Sequence, residues 1–360
     1  MQPISNRSGA VPEPVRTYLD ALTDDYGVFQ HAIGTAPDPN HGFCTDDVSR
    51  ALVVDLLHAE QLGLSAVKEA IWNRLDFLAA AFDSKRERFR NFRDANGRWL
   101  EKVGSEDSHG RAVLALGEVI RRSTDATIRA TALNLFEIST PAAAYFQHLR
   151  PWAYVIVGCD AASQREPKRD TSHLIGLLGG HLIDAFRHTR KATEPFWPWP
   201  EDTVTYDCGV LPQALITGGM RAGRPAWVNQ GLLALRWLIE FQTAADGHLS
   251  PVGNRGWWRK GAAPARFDQQ PIEAVSILEA ARAAFSATGN RYWAGVMDAA
   301  YAWFTGANDV GVELADGAAG RCADGLTSTG INPNHGAEST LAWLLAVERI
   351  RELRKSGLVA

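Results

Sequence analysis

Cysteine is scarce and scattered in this chain of 360 residues. Its four cysteines, Cys44, Cys159, Cys208 and Cys322, lie far apart with no CxxC pair, which argues against a zinc ribbon or a disulfide framework. No run of about 18 apolar residues occurs, so no membrane-spanning helix is expected. Residues 1–15 lack a basic stretch followed by an apolar one, so no secretory signal is read there. An excess of one charge is missing too. Lys and Arg number 37 against 41 Asp and Glu, a net charge of −4 at pH 7. That balance excludes the basic footprint of a nucleic-acid binder and an acidic disordered tail. Several signature loops are absent: GxxxxGK[ST] of the P-loop and HExxH of zinc helices, GxGxxG after a strand and the GxSxG elbow. No D-x-D pair is present, so the metal–nucleotide site of many sugar-nucleotide transferases has no counterpart. The sequence therefore predicts no metal, no cofactor, no nucleic-acid partner and no membrane, and a cytoplasmic protein with reduced thiols.

What is present is an ordinary globular balance, 46% hydrophobic and 22% charged, with an ample aromatic stock of 12 Trp and 14 Phe. The dominant period is helical. Helices are expected over about 13–24, 48–62, 66–82, 109–122, 126–138, 142–161, 171–189, 208–220, 225–243, 270–286, 289–304 and 337–354. Alternating strand patterns are few, and 98–103 and 248–258 read as loop hairpins. Five helices open on a polar, acid-bearing cluster: Cys44-Thr45-Asp46-Asp47, Ser105-Glu106-Asp107-Ser108-His109, Thr205-Tyr206-Asp207, Phe267-Asp268-Gln269-Gln270 and His335-Gly336-Ala337-Glu338. The starts are spaced about 60–70 residues apart, except for one gap of 100 that fits a further helical pair with 142–161 as its inner member. The spacing predicts an all-α fold of six helical hairpins, an (α/α)6 toroid, with 1–360 as one domain. The long connections 83–105 and 305–336 are expected over one end.

Asp and Ser at a helix start also cap free backbone N–H groups, and acids there suit the helix dipole. Capping alone explains any one cluster. Parallel inner helices, however, would gather Asp46, Asp47, Glu106, Asp107, Asp207, Asp268 and Glu338 around one cavity. Crowded carboxyls cannot all ionise at their ordinary pKa, and pairs pushed apart serve general acid and base chemistry. Aromatic loops adjoin the acids: Trp197 and Trp199 before Tyr206-Asp207, Trp257 before Asp268, and Trp99 before Glu106. These would stack on sugar C–H faces or fill loop cores. His41, His109, His173 and His335 lie near the clusters, with His109 and His335 the better functional candidates. Arg50 and Arg111, one turn beyond acid clusters, are read as structural ion-pair partners.

The stretch from Thr23 to His31, TDDYGVFQH, followed by His41 to Leu52, HGFCTDDVSRAL, resembles a bacterial family reading roughly TDxxGIxQHA…GYCTDDNARAL. Further matches are GSEDSHGRA from Gly104, Thr205-Tyr206-Asp207 with Leu211-Pro212-Gln213-Ala214-Leu215, DQQPIEA from Asp268 and GAESTLA from Gly336. Members of that family are often labelled glycosyltransferases or linked to them and to mannoside-active enzymes. Their architecture is similar to the six-hairpin toroid of glycosidases and sugar epimerases. The resemblance thus implies carbohydrate chemistry and a possible glycosyltransferase partner, without fixing the reaction. The chain departs from the pattern at Val48-Ser49 and Cys208-Gly209, where Asn-Ala is usual.

The leading expectation is a glycoside hydrolase-like enzyme that cleaves an oligosaccharide with inversion, its acid and base drawn from Asp47, Asp107, Asp207 and Asp268. Asp207 or Asp268 is the expected acid, desolvated by a Trp-rich loop, and Asp47 or Asp107 the base. Asp46, Glu106, His109, Trp197, Tyr206, Trp257, Gln269, Gln270, His335 and Glu338 are expected to bind the sugar. An epimerase or isomerase using His109, His173 or His335, and a non-catalytic glycan-binding or glycosyltransferase-associated protein, are the alternatives.

Overall fold

The structure is a computed structural model that describes residues 11–167, 171–188 and 196–355. The readings made at residues 1–10 and at residue 189 lie outside these. Twelve α-helices are described: α1 Thr17–Ala21, α2 Thr45–Leu62, α3 Lys68–Ala81, α4 Glu106–Arg122, α5 Ala126–Ser139, α6 Leu149–Arg165, α7 Ser172–His188, α8 Val210–Arg221, α9 Pro225–Phe241, α10 Pro271–Thr288, α11 Arg291–Phe304 and α12 Ala337–Lys355. The even-numbered helices pack in the order α2–α4–α6–α8–α10–α12 and α12 returns to α2, closing an inner ring. The helices α3, α5, α7, α9 and α11 each pack outside the inner helix before them.

The five-residue α1 packs on α12 and takes the sixth outer position. The helical pattern at 13–24 predicts a longer element. Pro12 and Pro14 bias the residues before them to extended backbone, and the chain turns into a strand at Thr23.

Inner helices are buried on nearly every side, so their small residues set how closely they approach. A Cβ on Gly117 of α4 would lie 2.2 Å from the Gly158 carbonyl oxygen of α6, and one on Gly158 would lie 2.7 Å from Leu114 Cα. Gly117→Ala must push two ring helices apart. We expect a loss of about 1–3 kcal/mol, read as a lower urea midpoint with an unchanged m-value. An unchanged midpoint would contradict the packing.

One sheet was not expected from the sequence. Strands β1 Thr23–Asp24, β2 Gly27–Ile33 and β3 Ala36–Cys44 run antiparallel and are joined by the short strand Phe92–Arg93 against β3. The expected hairpins at 98–103 and 248–258 reduce to isolated bridges, Arg93 with Trp99 and Thr243 with Leu249, and to a two-residue pairing of Trp258–Arg259 with Thr203–Val204. The sheet stands beside the N-terminus of α2, because β3 ends at Cys44 and α2 begins at Thr45.

Candidate active site

The inner-helix N-termini converge at one end of the ring, as the recurring acids predict. Cys44 caps α2. Its Sγ accepts the Asp47 N–H at 3.4 Å, and its thiol donates to Asp47 Oδ2 at 3.2 Å. Asp47 Oδ1 accepts from Arg50 Nη1 at 2.7 Å, while Arg50 Nη2 crosses to Glu338 Oε2 of α12 at 2.8 Å. From α4, Arg111 Nη2 donates to Asp207 Oδ2 and to the Tyr154 hydroxyl, both at 2.6 Å. Its Nε lies 3.8 Å from Asp46 Oδ1, and its guanidinium covers the Tyr154 ring at 4.2 Å. Asp207 also accepts from the Tyr154 and Ser276 hydroxyls, each at 2.6 Å.

Electrostatics separates these carboxyls. Burial lifts Asp46 most. Arg111 and Arg50 offset only some of that rise, and the charges of Asp47 and Asp107 add to it, to about 6. Its Oδ1 is buried with no hydrogen-bond partner, while the side chain as a whole is 24% exposed and lines the cleft. Burial also acts upward on Asp207, but Arg111, Ser276 and Tyr154 outweigh it and hold that carboxyl below its ordinary range. The expectation that Asp207 is a desolvated acid is therefore corrected. Those donors favour the anion.

Asp207 precedes α8 with φ +48°, a left-handed conformation uncommon outside glycine. Glu273, one turn into α10, holds it there. Glu273 Oε1 accepts the Asp207 N–H at 2.7 Å and Oε2 the Cys208 N–H at 3.3 Å. Burial, and then the Asp207 charge, push Glu273 up to about 8. Its ordinary value is 4.5, so the native state binds this proton more tightly than the unfolded chain. Stability from this group is complete at low pH and is lost as pH rises from about 4.5 through about 8. Glu273→Gln carries no such proton, so the decline of Tm over that range should flatten; a wild-type slope in the variant would contradict the assignment.

The cleft at the mouth has a volume of about 410 Å3 and is lined by Asp46, Asp47, Arg50, Gln270 and Glu338, among others. Below it lies a lumen of about 120 Å3 between Val53, Leu114, Val157, Val275 and Leu341. The same lumen is lined by Arg349, which pairs with Glu279 at 2.5 Å, and by Glu118, which pairs with Arg121 at 2.5 Å. Asp107 sits beside the cleft, accepting the hydroxyl of Tyr206. Tyr206 is 40% exposed, and the Arg150 guanidinium lies 4.5 Å over its ring.

Other expected site residues go elsewhere. His109 is fully buried between Phe89 and Phe146, with Nε2 2.9 Å from Ser139 O. Burial pushes it down to about 3, which makes it a neutral core histidine. Glu106 accepts from the Gln147 and His148 amides and from His148 Nδ1, fastening the start of α6. Asp268 pairs with Arg255 at 2.9 Å and lies outside the cleft's lining. Gln269 is buried between Trp303 Nε1 and Asp309. Trp197 packs within 4.8 Å of Trp237 and 5.0 Å of Trp258, so its loop fills a core and covers no carboxyl. Trp257 packs partly buried against that core. His335 is tied through its amide and ring to Gly34 O, and His173 is exposed.

Glu273, Tyr154 and Ser276 were missed. The one available signal was Glu273 itself, an acid inside the apolar run Pro271-Ile272-Glu273-Ala274-Val275. The four cysteines are unpaired and buried. Among the described residues, no helix is long and apolar enough to cross a membrane, and no three metal-ligating side chains cluster to hold an ion.

No family model matches the chain, and no curated protein is similar to it in sequence. Solved structures do match. Cellobiose 2-epimerase of Bacillus thermoamylovorans superposes with a TM-score of 0.70 at 10% identity, covering 94% of this chain and 96% of its own. A GH76 α-mannanase of Bacteroides thetaiotaomicron gives 0.68 at 11% identity, covering 94% of each. The fold is an (α/α)6 toroid. A GH76 α-1,6-mannanase of a Salegentibacter species shares it, with TM-score 0.61, 11% identity and coverage of 94% and 96%. That structure is of an inactive variant with two consecutive aspartates replaced, in complex with α-1,6-mannotriose.

Proposed function

We propose that residues 1–360 form one catalytic domain, a glycoside hydrolase-like enzyme that cleaves an oligosaccharide with inversion. Asp46 is the general acid and Asp107 the general base. The observation that carries this reading is the Asp46 carboxyl, lifted to about 6 in the lining of the cleft and sharing Arg111 with an Asp207 held as an anion. Environments that drive neighbouring carboxyls to different pKa values assign acid and base roles.

Asp46 opens α2 and Asp107 opens α4, neighbouring helices of the inner ring. The Asp107 charge is felt at the Asp46 carboxyl, and an inverting pair stands roughly 6.5–9.5 Å apart. In the reaction Asp46 gives its proton to the glycosidic oxygen as the C–O bond breaks. Asp107 takes a proton from water, whose oxygen bonds to the anomeric carbon from the opposite face. Arg111 and Arg50 hold the neighbouring carboxylates in place. Phe92 at the cleft and Tyr206 beside Asp107, both 40% exposed, offer faces to sugar C–H groups. Loss of activity in the mannanase variant supports a role for consecutive acids, which this chain carries at Asp46-Asp47 and Glu106-Asp107.

An epimerase needs proton-shuttling histidines. His109 is buried, His173 exposed and His335 tied to the hairpin, so that alternative finds no support in the three histidines expected to serve it. A glycosyltransferase partner rests on the sequence resemblance alone. The test is incubation of the whole chain with manno- and gluco-oligosaccharides, with products read by mass, beside Asp46→Asn and Asp107→Asn. Hydrolysis lost in both variants supports the reading. Glycan binding without turnover on any substrate in the panel would overturn it in favour of a binding protein.

A further inference from the structure

The lumen of the ring is a second cavity, and the proposed hydrolysis makes no use of its apolar body. Each of the six inner helices contributes an apolar wall to it: Val53 of α2, Leu114 of α4, Val157 of α6, Val210 of α8, Val275 of α10 and Leu341 of α12. Charged pairs stand at its two ends. Toward the mouth Arg50 bridges to Glu338 at 2.8 Å, and both residues line the cleft as well as the lumen. At the far end Glu279 pairs with Arg349 at 2.5 Å and with Arg282 at 2.7 Å. Between these rims lies an apolar belt in a space of about 120 Å3. An apolar cavity of about 150 Å3 stays dry and takes up benzene, so this space is of the same order.

The lining also holds an unpaired hydroxyl. Those of Tyr154 and Ser276 both donate to Asp207. Ser49 differs. It is 2% exposed and lines the lumen, and its Oγ is buried with no hydrogen-bond partner among the described residues. Ser49 lies four residues before Val53, so it shares that face of α2 one turn nearer the mouth. It is also a position where the chain departs from the resembled motif, with a hydroxyl in place of the usual alanine. A buried hydroxyl left unpaired costs free energy. It offers one donor and two acceptor sites to whatever fills the space beside it.

We propose that the lumen is a ligand site separate from the sugar cleft, for a small apolar molecule carrying one hydroxyl, such as a phenol or a cyclic alcohol. Its ring fills the belt and its hydroxyl meets Ser49 at the mouth end. Entry is past the Arg50–Glu338 bridge. The Glu338 side chain is 41% exposed, and an ion pair with so open a partner contributes little, so the bridge gives way at small cost. The proposal is independent of the hydrolytic reading, because it concerns binding in a different cavity.

Phenol and benzene are the probes. Each is titrated against the whole chain, with saturation-transfer NMR reading contact and calorimetry reading affinity and stoichiometry. The expected result is one saturable site for both. Ser49→Ala should weaken phenol about two- to tenfold, the usual net contribution of one hydrogen bond, and leave benzene unchanged. The same change removes an orphaned hydroxyl, so the urea midpoint of the free protein should not fall. Ala342→Leu puts a larger side chain in the lumen wall and should abolish binding of both probes. Val275→Ile adds one methylene to the belt and should weaken both, which covers the case of a larger variant that does not fold. No saturable binding of either probe would overturn the site. Wild-type affinity in the lumen-filling variants would place the probes elsewhere and overturn it equally. Unchanged phenol affinity in Ser49→Ala, or a lowered midpoint of that variant without ligand, would overturn the pairing with Ser49 and with it the alcohol.

Discussion

Replacing Asp46 with asparagine is expected to lower kcat on ordinary glycosides by about 10²–10⁴, the usual worth of a positioned acid. The loss should shrink on a dinitrophenyl glycoside, whose leaving group departs without protonation. Wild-type activity should also fall about tenfold per pH unit above pH 6, because the reactive form of Asp46 is protonated and its pKa is raised to about 6. That alkaline limb should disappear in Asp46→Asn. Equal losses on both substrates would mean that Asp46 has some other role. The isosteric amide keeps a neutral group at the site, so a folding defect is not the expected cause of lost rate, and an unchanged Tm checks this.

The second large effect belongs to Arg111. Its guanidinium is the principal charge holding Asp207 as an anion and the strongest influence drawing Asp46 downward. Arg111→Met leaves Asp207 buried without its cation. Breaking such a pair from one side costs about 3–5 kcal/mol, to be read by urea unfolding at neutral pH. The same variant should move the alkaline limb of activity upward, because Asp46 loses its largest downward influence. Arg111→Lys restores charge without the planar fork and should recover some of the stability. A loss below about 1 kcal/mol in Arg111→Met would show that the pair is screened by water and that the linkage from Asp207 to Asp46 is weak.

Much of the ring was legible because an inner helix must bury apolar residues on almost every side, which leaves long helical runs broken by polar starts. The acids at five of these starts were visible for the same reason. The β2–β3 hairpin was not. Pro37 and Pro39 interrupt β3, and its burial pattern does not alternate throughout. Which acid is perturbed was also hidden. Asp46 and Asp207 are separated in character by Arg111, Tyr154 and Ser276, which arrive from three different helices. Adjacency misled the reading of the tryptophans. Trp197 precedes Asp207 by ten residues, but its ring packs against Trp237 and Trp258 and is not among the cleft's lining. His109 shows the same limit, for a helix-start residue points into the protein or toward the mouth according to its place on the turn.

The most direct measurement is time-resolved proton NMR of the anomeric signals during hydrolysis of an oligosaccharide that the chain cleaves. A first-formed sugar of inverted configuration, appearing before mutarotation and absent with Asp46→Asn or Asp107→Asn, is the predicted result. A first product with retained configuration would contradict it, because retention requires one carboxylate as a nucleophile at about 5–5.5 Å from the acid rather than Asp107 acting through water.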